Sequence, residues 1–269
     1  MKKYLIIHAD DLGITETTNI ATLNALKSRW VTSASIMAPC KYFNQAIEMI
    51  DFNIDIGVHI TLNSEMNSIR WKSLSNLSSL HDEEGFMHKT LDDLVVKAND
   101  IEIQAEIETQ IIKCLESGKK FSHIDSHMGA VALKVSWLEN YRQLAKKYSL
   151  IPMMPKWTIS LKKYLIYKGL PWKEVKEYLD SLKDIKINLI TDEPGEISYV
   201  ERKKRILQNM VNLPHGINQI ITHLDNSDWD RRRKENLEIL SSREVEKILN
   251  ENDIVLTSWS KIGSEIRLS

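Results

Sequence analysis

Short apolar runs alternate along this chain with longer segments in which apolar residues recur every three or four positions. The first run, residues 4–8, is rich in β-branched side chains, which is typical of a strand buried on both faces of a sheet. Runs of the same kind predict further strands along the whole chain. These lie at residues 32–37, 54–62, 121–125, 150–154, 185–190, 217–222 and 253–259.

Helical periodicity fills most of the segments between these runs. The clearest helix is predicted over residues 100–116, where Ile107, Ile111 and Leu115 recur every four positions and Gly118 is placed to end the helix. Residues 63–99 have few periodic positions and are expected to form a long, functional loop region. The other predicted helices lie around residues 20–26, at 43–51, within 156–183, and at 137–148, 200–211 and 231–249.

Strands that alternate with helices of this length lie parallel in one sheet. Seven or eight such units within 269 residues predict an α/β fold, a distorted (β/α) TIM-like barrel of seven or eight mostly parallel strands, rather than a doubly wound sheet. No Gly-x-Gly-x-x-Gly follows the first strand, which argues against a dinucleotide cofactor. Because no Gly-, Pro- or Ser-rich linker interrupts the chain, residues 1–269 are predicted to form a single domain.

The composition narrows the classes of partner. A formal net charge of −1 argues against nucleic acid or an anionic membrane as the main partner. Cys40 and Cys114 are too few for a disulfide framework and are expected to be free thiols. No apolar run has the length of a signal-peptide core or of a membrane span, which takes roughly 18–20 residues. We therefore expect a soluble cytoplasmic protein, with a homodimer as the default assembly.

Half of the eight histidines, together with several carboxylates, lie at the predicted C-terminal ends of strands. In a parallel barrel these ends form one face, where active sites are built. The residues that the pattern brings to this face are Asp10, Asp11, His59, His123, Asp125, His127 and His223. Their clustering is the main indication of chemistry in the sequence.

Asp10 and Asp11 are adjacent at the end of the first strand and are expected to point in different directions, because side chains alternate along a strand. Two carboxylates in that position would repel each other, which favours a nearby cation or two separate roles. The alternative is a solvated turn in which an aspartate caps a helix.

One carboxylate and two imidazoles are a common ligand set for a catalytic divalent metal, with positions left open for water and substrate. Residues 123, 125 and 127 share one face of a strand, and His127, nearest the rim, is the better ligand. His123 would lie deeper and support the ligands, and Asp125 would orient an imidazole. The alternatives are structural roles for His59 and His223 and a turn-forming role for Asp125.

The remaining polar residues near these positions are expected to have no part in the chemistry. Asp225 and Asp228 are interpreted as loop or cap residues, and the basic run at 231–234 as a solvated helix face from which one arginine could reach the site. The histidines left as structural or surface residues are His8, His81, His88 and His215.

Four motifs occur in a fixed order along the chain. Ala-Asp-Asp-Leu-Gly follows the first strand, Gly-Val-His-Ile-Thr-Leu occupies 57–62, His-Ile-Asp-Ser-His-Met-Gly occupies 123–129, and Ile-Thr-His at 221–223 precedes Trp229 and Arg233. This ordered set resembles the YdjC-like carbohydrate deacetylases over essentially the whole chain. The sequence departs from that family's pattern at 128–130, at Leu224 and at Asn236.

The resemblance implies a distorted barrel of the glycoside hydrolase/deacetylase type that hydrolyses an acetamido group on short N-acetylated sugars such as chitooligosaccharides. By the family's pattern, Asp10 would be the general base and His223 the general acid, while Arg233 would contact the small carbohydrate substrate. A divalent ion, magnesium or zinc, would be held by Asp11, His59 and His127. The alternatives are metal-dependent hydrolysis of another amide or of a phosphate ester, and a non-catalytic protein that binds sugar or metal.

Overall fold

A computed structural model describes residues 2–51, 53–167, 169–190 and 197–267. Within them, parallel strands run side by side in the order β5-β4-β3-β2-β1-β7-β6, and β8 pairs with β1. The strands are β1 (Lys3–Leu12), β2 (Ser33–Ile36), β3 (Ile56–Ile60), β4 (His123–Ser126), β5 (Ile151–Pro152), β6 (Asn188–Ile190), β7 (Gly216–His223) and β8 (Ile254–Leu256). The predicted fold class, a distorted barrel of mostly parallel strands, is confirmed.

Helices connect the strands and cover the outside of the sheet. They are α1 (Glu16–Lys27), α2 (Phe43–Met49), α3 (Leu91–Lys97), α4 (Asp100–Glu116), α5 (Val135–Lys147), α6 (Ile159–Tyr167), α7 (Trp172–Ser181), α8 (Tyr199–Val211), α9 (Arg231–Leu240), α10 (Arg243–Glu251) and α11 (Trp259–Arg267). None of the helices in the described part of the chain is long and apolar enough to cross a bilayer.

Strand β1 pairs with three other strands of the described sheet. One edge of β1 pairs with β7, from Lys3 against Gly216 to Asp10 against His223. The other edge is shared, because β8 pairs with the beginning of β1 and β2 pairs with its end. The ring closes where Pro155, just after β5, pairs with Ile187. This short closure and the shared edge are the distortion of the barrel.

The inside of the barrel changes from apolar to polar toward the C-terminal ends of its strands. Ile6 belongs to a buried apolar cluster with Ile187 and Trp259. Two residues further along β1, His8 is fully buried, and after another two residues comes Asp10. Because alternate residues of a strand face the same side, the apolar floor supports a layer of histidine and then a layer of carboxylates.

The clearest differences between the predicted elements and the structure are three. The helix predicted over 231–249 is wrong as a single helix, because α9 ends at Leu240 and α10 begins after Ser242. Serines at this junction favour caps and turns over a helix interior. The strand predicted over 253–259 is shorter, since Trp259 begins α11. The loop region predicted at 63–99 contains α3, and two carboxylates of α4, Glu102 and Glu106, accept hydrogen bonds from its backbone.

Candidate active site

A bulge at the end of β1 brings Asp10 and Asp11 to the same place. The register of β1 against β2 shifts between Ala9 and Leu12, and Asp11 has a left-handed backbone with φ of 66°. As a result, Asp10 Oδ2 lies 3.9 Å and Asp11 Oδ1 lies 3.4 Å from His59 Nε2. The expectation that the two carboxylates point in different directions is therefore wrong, because the strand is not regular at this position.

Three residues predicted to bind metal lie together at the rim. Asp11 Oδ1 is 3.4 Å from His59 Nε2 and 3.2 Å from His127 Nδ1. Each residue offers a ligand atom within 4.8 Å of the other two. The side chains of all three are almost completely buried.

Two of these ligand atoms also have no hydrogen-bond partner within the part of the chain that the structure describes. They are Asp11 Oδ1 and His59 Nε2, which are both buried. Buried polar atoms are nearly always satisfied, and a cation would satisfy both of these. Two imidazoles and one carboxylate are also a donor set that divalent ions accept. The residues therefore fit a divalent metal ion.

Each of the two imidazoles has a carboxylate behind it. Asp125 Oδ1 lies 2.8 Å from His59 Nδ1, and Glu65 Oε2 lies 2.9 Å from His127 Nε2. Such a carboxylate selects the tautomer and the orientation of a ligating imidazole. Asp125 has the orienting position that the sequence suggested for it. Glu65 was not found from the sequence, because it lies in the irregular stretch after β3 and carries no periodic signal.

His8 is placed inside the site, and its interpretation as a structural or surface residue was incomplete. Its Nε2 is 2.8 Å from Asp125 Oδ2, 3.3 Å from Asp10 Oδ1 and 3.1 Å from Ser35 Oγ. The two-residue period of β1, which places His8 on the same face as Asp10, was the available signal. His81 and His88, in contrast, bond within the loop region, to Ser73 Oγ and the Ser79 carbonyl oxygen.

His123 lies deeper than the ligands and does not touch them. Its ring stacks on Trp259 at 5.2 Å and meets His8 edge-on at 5.0 Å. Burial, with His8 nearby, lowers the pKa of His123 to about 3. Gly57 makes room for this ring, because a Cβ at that position would lie 2.4 Å from His123 Nε2. His123 thus lies beside His8 and Asp125, below the candidate metal ligands.

The electrostatics of the site separate the two adjacent carboxyl groups. Burial raises the pKa of Asp10 above its usual range. Burial would also raise the pKa of Asp11, but Arg233 and His127 outweigh it and hold this pKa well below the usual range. Burial would lower the pKa of His127, yet Glu65 and Asp11 raise it to about 9. Asp11 is thus the anionic ligand, and Asp10 the carboxylate more ready to accept a proton.

The opposite side of the rim is formed by β7 and α9. His223 is partly exposed, and its Nε2 lies 3.9 Å from Asp11 Oδ2. Arg233 is buried and donates from Nη2 to the same oxygen at 2.6 Å. The substrate contact predicted for Arg233 stays a prediction, since the contact seen here is with a candidate metal ligand. Asp225 lies in a loop, as interpreted from the sequence, but it is completely buried.

Tyr164 of α6 reaches the same rim and was also missed. Its hydroxyl lies 3.8 Å from the position that a Cβ on Gly129 would take, two residues after His127. Burial, together with the negative charge of Asp10, raises the pKa of the Tyr164 phenol. Nothing in the Lys- and Trp-rich stretch around it distinguished this tyrosine from a core residue.

Comparison with known proteins agrees with this arrangement. A family model described as YdjC-like protein matches residues 4–251. The carbohydrate deacetylase of Thermoanaerobacter pseudethanolicus is 28% identical over 273 residues, which cover 96% of this chain and 98% of that protein. A carbohydrate deacetylase of Enterococcus faecalis is 29% identical, with coverage of 97% and 98%.

A crystal structure from Enterococcus faecalis V583 is similar to this chain over nearly its whole length. It is described as a candidate cellobiose-phosphate cleavage protein, and it superimposes with a TM-score of 0.75 at 26% identity. The alignment covers 97% of this chain and 99% of that one. The similarity therefore extends over the complete barrel as well as the motifs at its rim.

Proposed function

Because this chain belongs to the YdjC-like protein family, we propose that it is a metal-dependent hydrolase that removes acetyl groups from short N-acetylated sugars. The observation that carries the proposal is the cluster of Asp11, His59 and His127, each imidazole of which has a carboxylate behind it, beside a second carboxylate, Asp10. The relatives that are named carbohydrate deacetylases support the choice of substrate class.

Asp11, His59 and His127 would hold the ion, which when bound supplies Lewis-acid polarisation of the acetamide carbonyl and lowers the pKa of the attacking water. Asp10 takes the proton from that water as its oxygen attacks the carbonyl carbon. Burial favours this role, because a carboxylate with a raised pKa is a stronger base. His8 Nε2 lies 3.3 Å from Asp10 Oδ1, where a protonated imidazole would attract the carboxylate.

His223 lies across the rim from His59 and His127 and is more exposed than either of them. It donates a proton to the amine nitrogen when the carbon–nitrogen bond breaks, so that acetate and a free amino sugar are the products. Arg233 holds Asp11 by a hydrogen bond to Oδ2, which leaves Asp11 Oδ1 for the ion. The proposal includes a small carbohydrate as the partner, without nucleic acid or membrane, and a cytoplasmic homodimer.

A second candidate follows from the description of the Enterococcus faecalis structure: cleavage of a phosphorylated disaccharide. The same ligand set can serve phosphate esters. One observation argues against this candidate. The Arg233 guanidinium, which could otherwise bind a phosphate, is already paired with Asp11.

The test is acetate release from N-acetylglucosamine and its short oligomers by protein stripped with a chelator and then supplied with magnesium, zinc, manganese or cobalt. We expect release that depends on the added metal, and phosphate and reducing ends from cellobiose phosphate are measured in parallel. The matched control is the same protein without metal. Stoichiometric metal binding without acetate from any oligomer would show that the substrate class is wrong.

A further inference from the structure

Asp225 is a carboxylate that the chemistry above does not use, although it is completely buried. Its Oδ2 accepts hydrogen bonds from the hydroxyl groups of Thr15, Thr17 and Thr18 at 3.3, 2.9 and 2.7 Å. Its Oδ1 accepts from the backbone N–H and the hydroxyl of Ser227. These bonds join the start of α1 to the loop between β7 and α9, two connections at the C-terminal rim of the barrel.

One further donor to Asp225 is the indole of Trp229, whose Nε1 lies 2.7 Å from Oδ2. The guanidinium carbon of Arg233 lies 5.1 Å from the centre of the Trp229 ring, and Arg233 donates to Asp11. A single guanidinium group therefore separates the indole from a candidate metal ligand. The edge of the ring is held by Asp225 and one face is in contact with Arg233.

Despite these contacts, Trp229 is 38% exposed. With the N–H edge on Asp225 and one face on Arg233, the surface available to a ligand is expected on the opposite face. The other tryptophans near the rim differ: Trp71 is buried, and Trp157 stacks on Trp172 at 6.5 Å. An indole with a satisfied N–H and a free face is suited to the apolar C–H face of a pyranose ring.

We propose that the free face of Trp229 is a platform for a sugar ring of the substrate and that Asp225 is a positioning residue, which holds the indole at the mouth of the site. The proposal rests on the proposed carbohydrate substrate. Trp229 would contact the sugar ring next to the acetamido group rather than the acetamido group itself, because Arg233 lies between the indole and Asp11.

The anionic form of Asp225 is what makes the indole rigid. An ionised carboxylate accepts several neutral donors at once and bonds them more strongly than a neutral acceptor would. The same carboxylate orders Thr17, Thr18 and Ser227, so the platform is fixed to α1 as well as to its own loop. A rigid platform binds sugar without the cost of ordering a loop.

The experiment measures binding of di-N-acetylchitobiose by calorimetry to metal-loaded protein that carries Asp10→Asn to prevent turnover. Adding Trp229→Ala is expected to weaken binding about tenfold, whereas Trp229→Phe keeps part of the affinity, because the aromatic face is retained but the hydrogen bond to Asp225 is lost. Trp30→Ala is the matched control, since Trp30 is 39% exposed but lies between α1 and β2, at the other end of the barrel. We expect Trp30→Ala to change nothing.

The role of Asp225 is tested by a cycle of variants in the same background. Asp225→Asn should weaken sugar binding in the protein with Trp229, but not further in the protein with Trp229→Phe, which lacks the N–H that Asp225 holds. In steady-state assays of the active protein, Trp229→Ala should raise KM and leave kcat nearly unchanged. A purely structural role for Trp229 would lower kcat as well.

The outcomes separate this proposal from the proposed function. Equal sugar affinity of the Trp229→Ala and Trp30→Ala proteins, or no sugar binding in the Asp10→Asn background, would overturn the platform. If sugar binding depends on Trp229 but the wild-type protein releases no acetate, the platform is supported and the proposed deacetylase function is wrong.

Discussion

The two sides of the rim use buried aspartates in opposite ways. On the β3–β4 side, Asp125 bonds imidazoles that can carry charge, His8 and His59. On the β7–α9 side, Asp225 bonds hydroxyl, backbone and indole groups, none of which titrates near neutral pH. Both carboxylates follow or end a strand and both are buried. The chemistry of their partners, rather than burial, therefore distinguishes a residue that adjusts metal ligands from one that fixes the shape of a loop.

This difference predicts that the two sides fail differently. Damage to the β3–β4 side should appear as weaker metal binding, because its carboxylates set the tautomer and basicity of ligating imidazoles. Loss of Asp225 or Trp229 on the β7–α9 side should appear as weaker sugar binding and lower stability, with metal affinity preserved. Asp10, on the strand between them, should affect the chemical step alone.

The largest effect is expected for Asp10→Asn. The amide cannot accept the proton of the attacking water, so kcat should fall about 10³-fold, a size typical of the loss of a general base. The measurement is acetate release at saturating metal, with metal content determined on the same sample. If the metal-loaded Asp10→Asn protein were nearly as active as the wild-type protein, the assignment of Asp10 as the base would be wrong.

The next effect is expected for Asp125→Asn and Glu65→Gln, which remove the charge behind His59 and His127. Each should weaken metal binding about 10–100-fold and shift the metal dependence of activity to higher concentration. Affinity is measured by competition with a chelator, and Asp225→Asn is the matched control on the other side of the rim. If all three variants lowered metal affinity equally, the distinction between the two sides would be lost.

The smallest effect is expected in the stability of Asp225→Asn. Burial alone would raise the pKa of Asp225, but its hydrogen bonds from Ser227 and Trp229 lower it below the ordinary value of 3.8. The contribution to stability is therefore complete above the unfolded-state pKa and is lost as the pH falls through the folded-state pKa. We expect Asp225→Asn to cost about 2 kcal/mol at neutral pH.

Urea denaturation of both proteins at several pH values checks this prediction. The difference in unfolding free energy between the wild-type protein and Asp225→Asn should stay constant from neutral pH down to about 4 and shrink as the pH is lowered further. A difference that stayed constant below about 4 as well would show that Asp225 contributes through packing rather than through its charge.

Much of the site could be predicted because a parallel barrel collects the C-terminal ends of its strands on one face. Strand position made Asp11, His59 and His127 candidates, the resemblance to the YdjC-like family implied that they bind the metal, and the structure places their ligand atoms together. The two-residue period also indicated that His123 lies deeper than His127. Glu65 and Tyr164 could not be found in this way, because they come from segments whose path depends on packing against the finished barrel.

The order of strands and helices and the residue types at the strand ends could be predicted, because they follow from local periodicity. How the side chains are used depends on long-range packing. The tertiary structure placed a bulge that turns Asp10 and Asp11 toward one histidine, and it brought Asp225 against threonines more than 200 residues earlier in the chain. Such contacts depend on closure of the barrel, which joins residues that no local pattern relates.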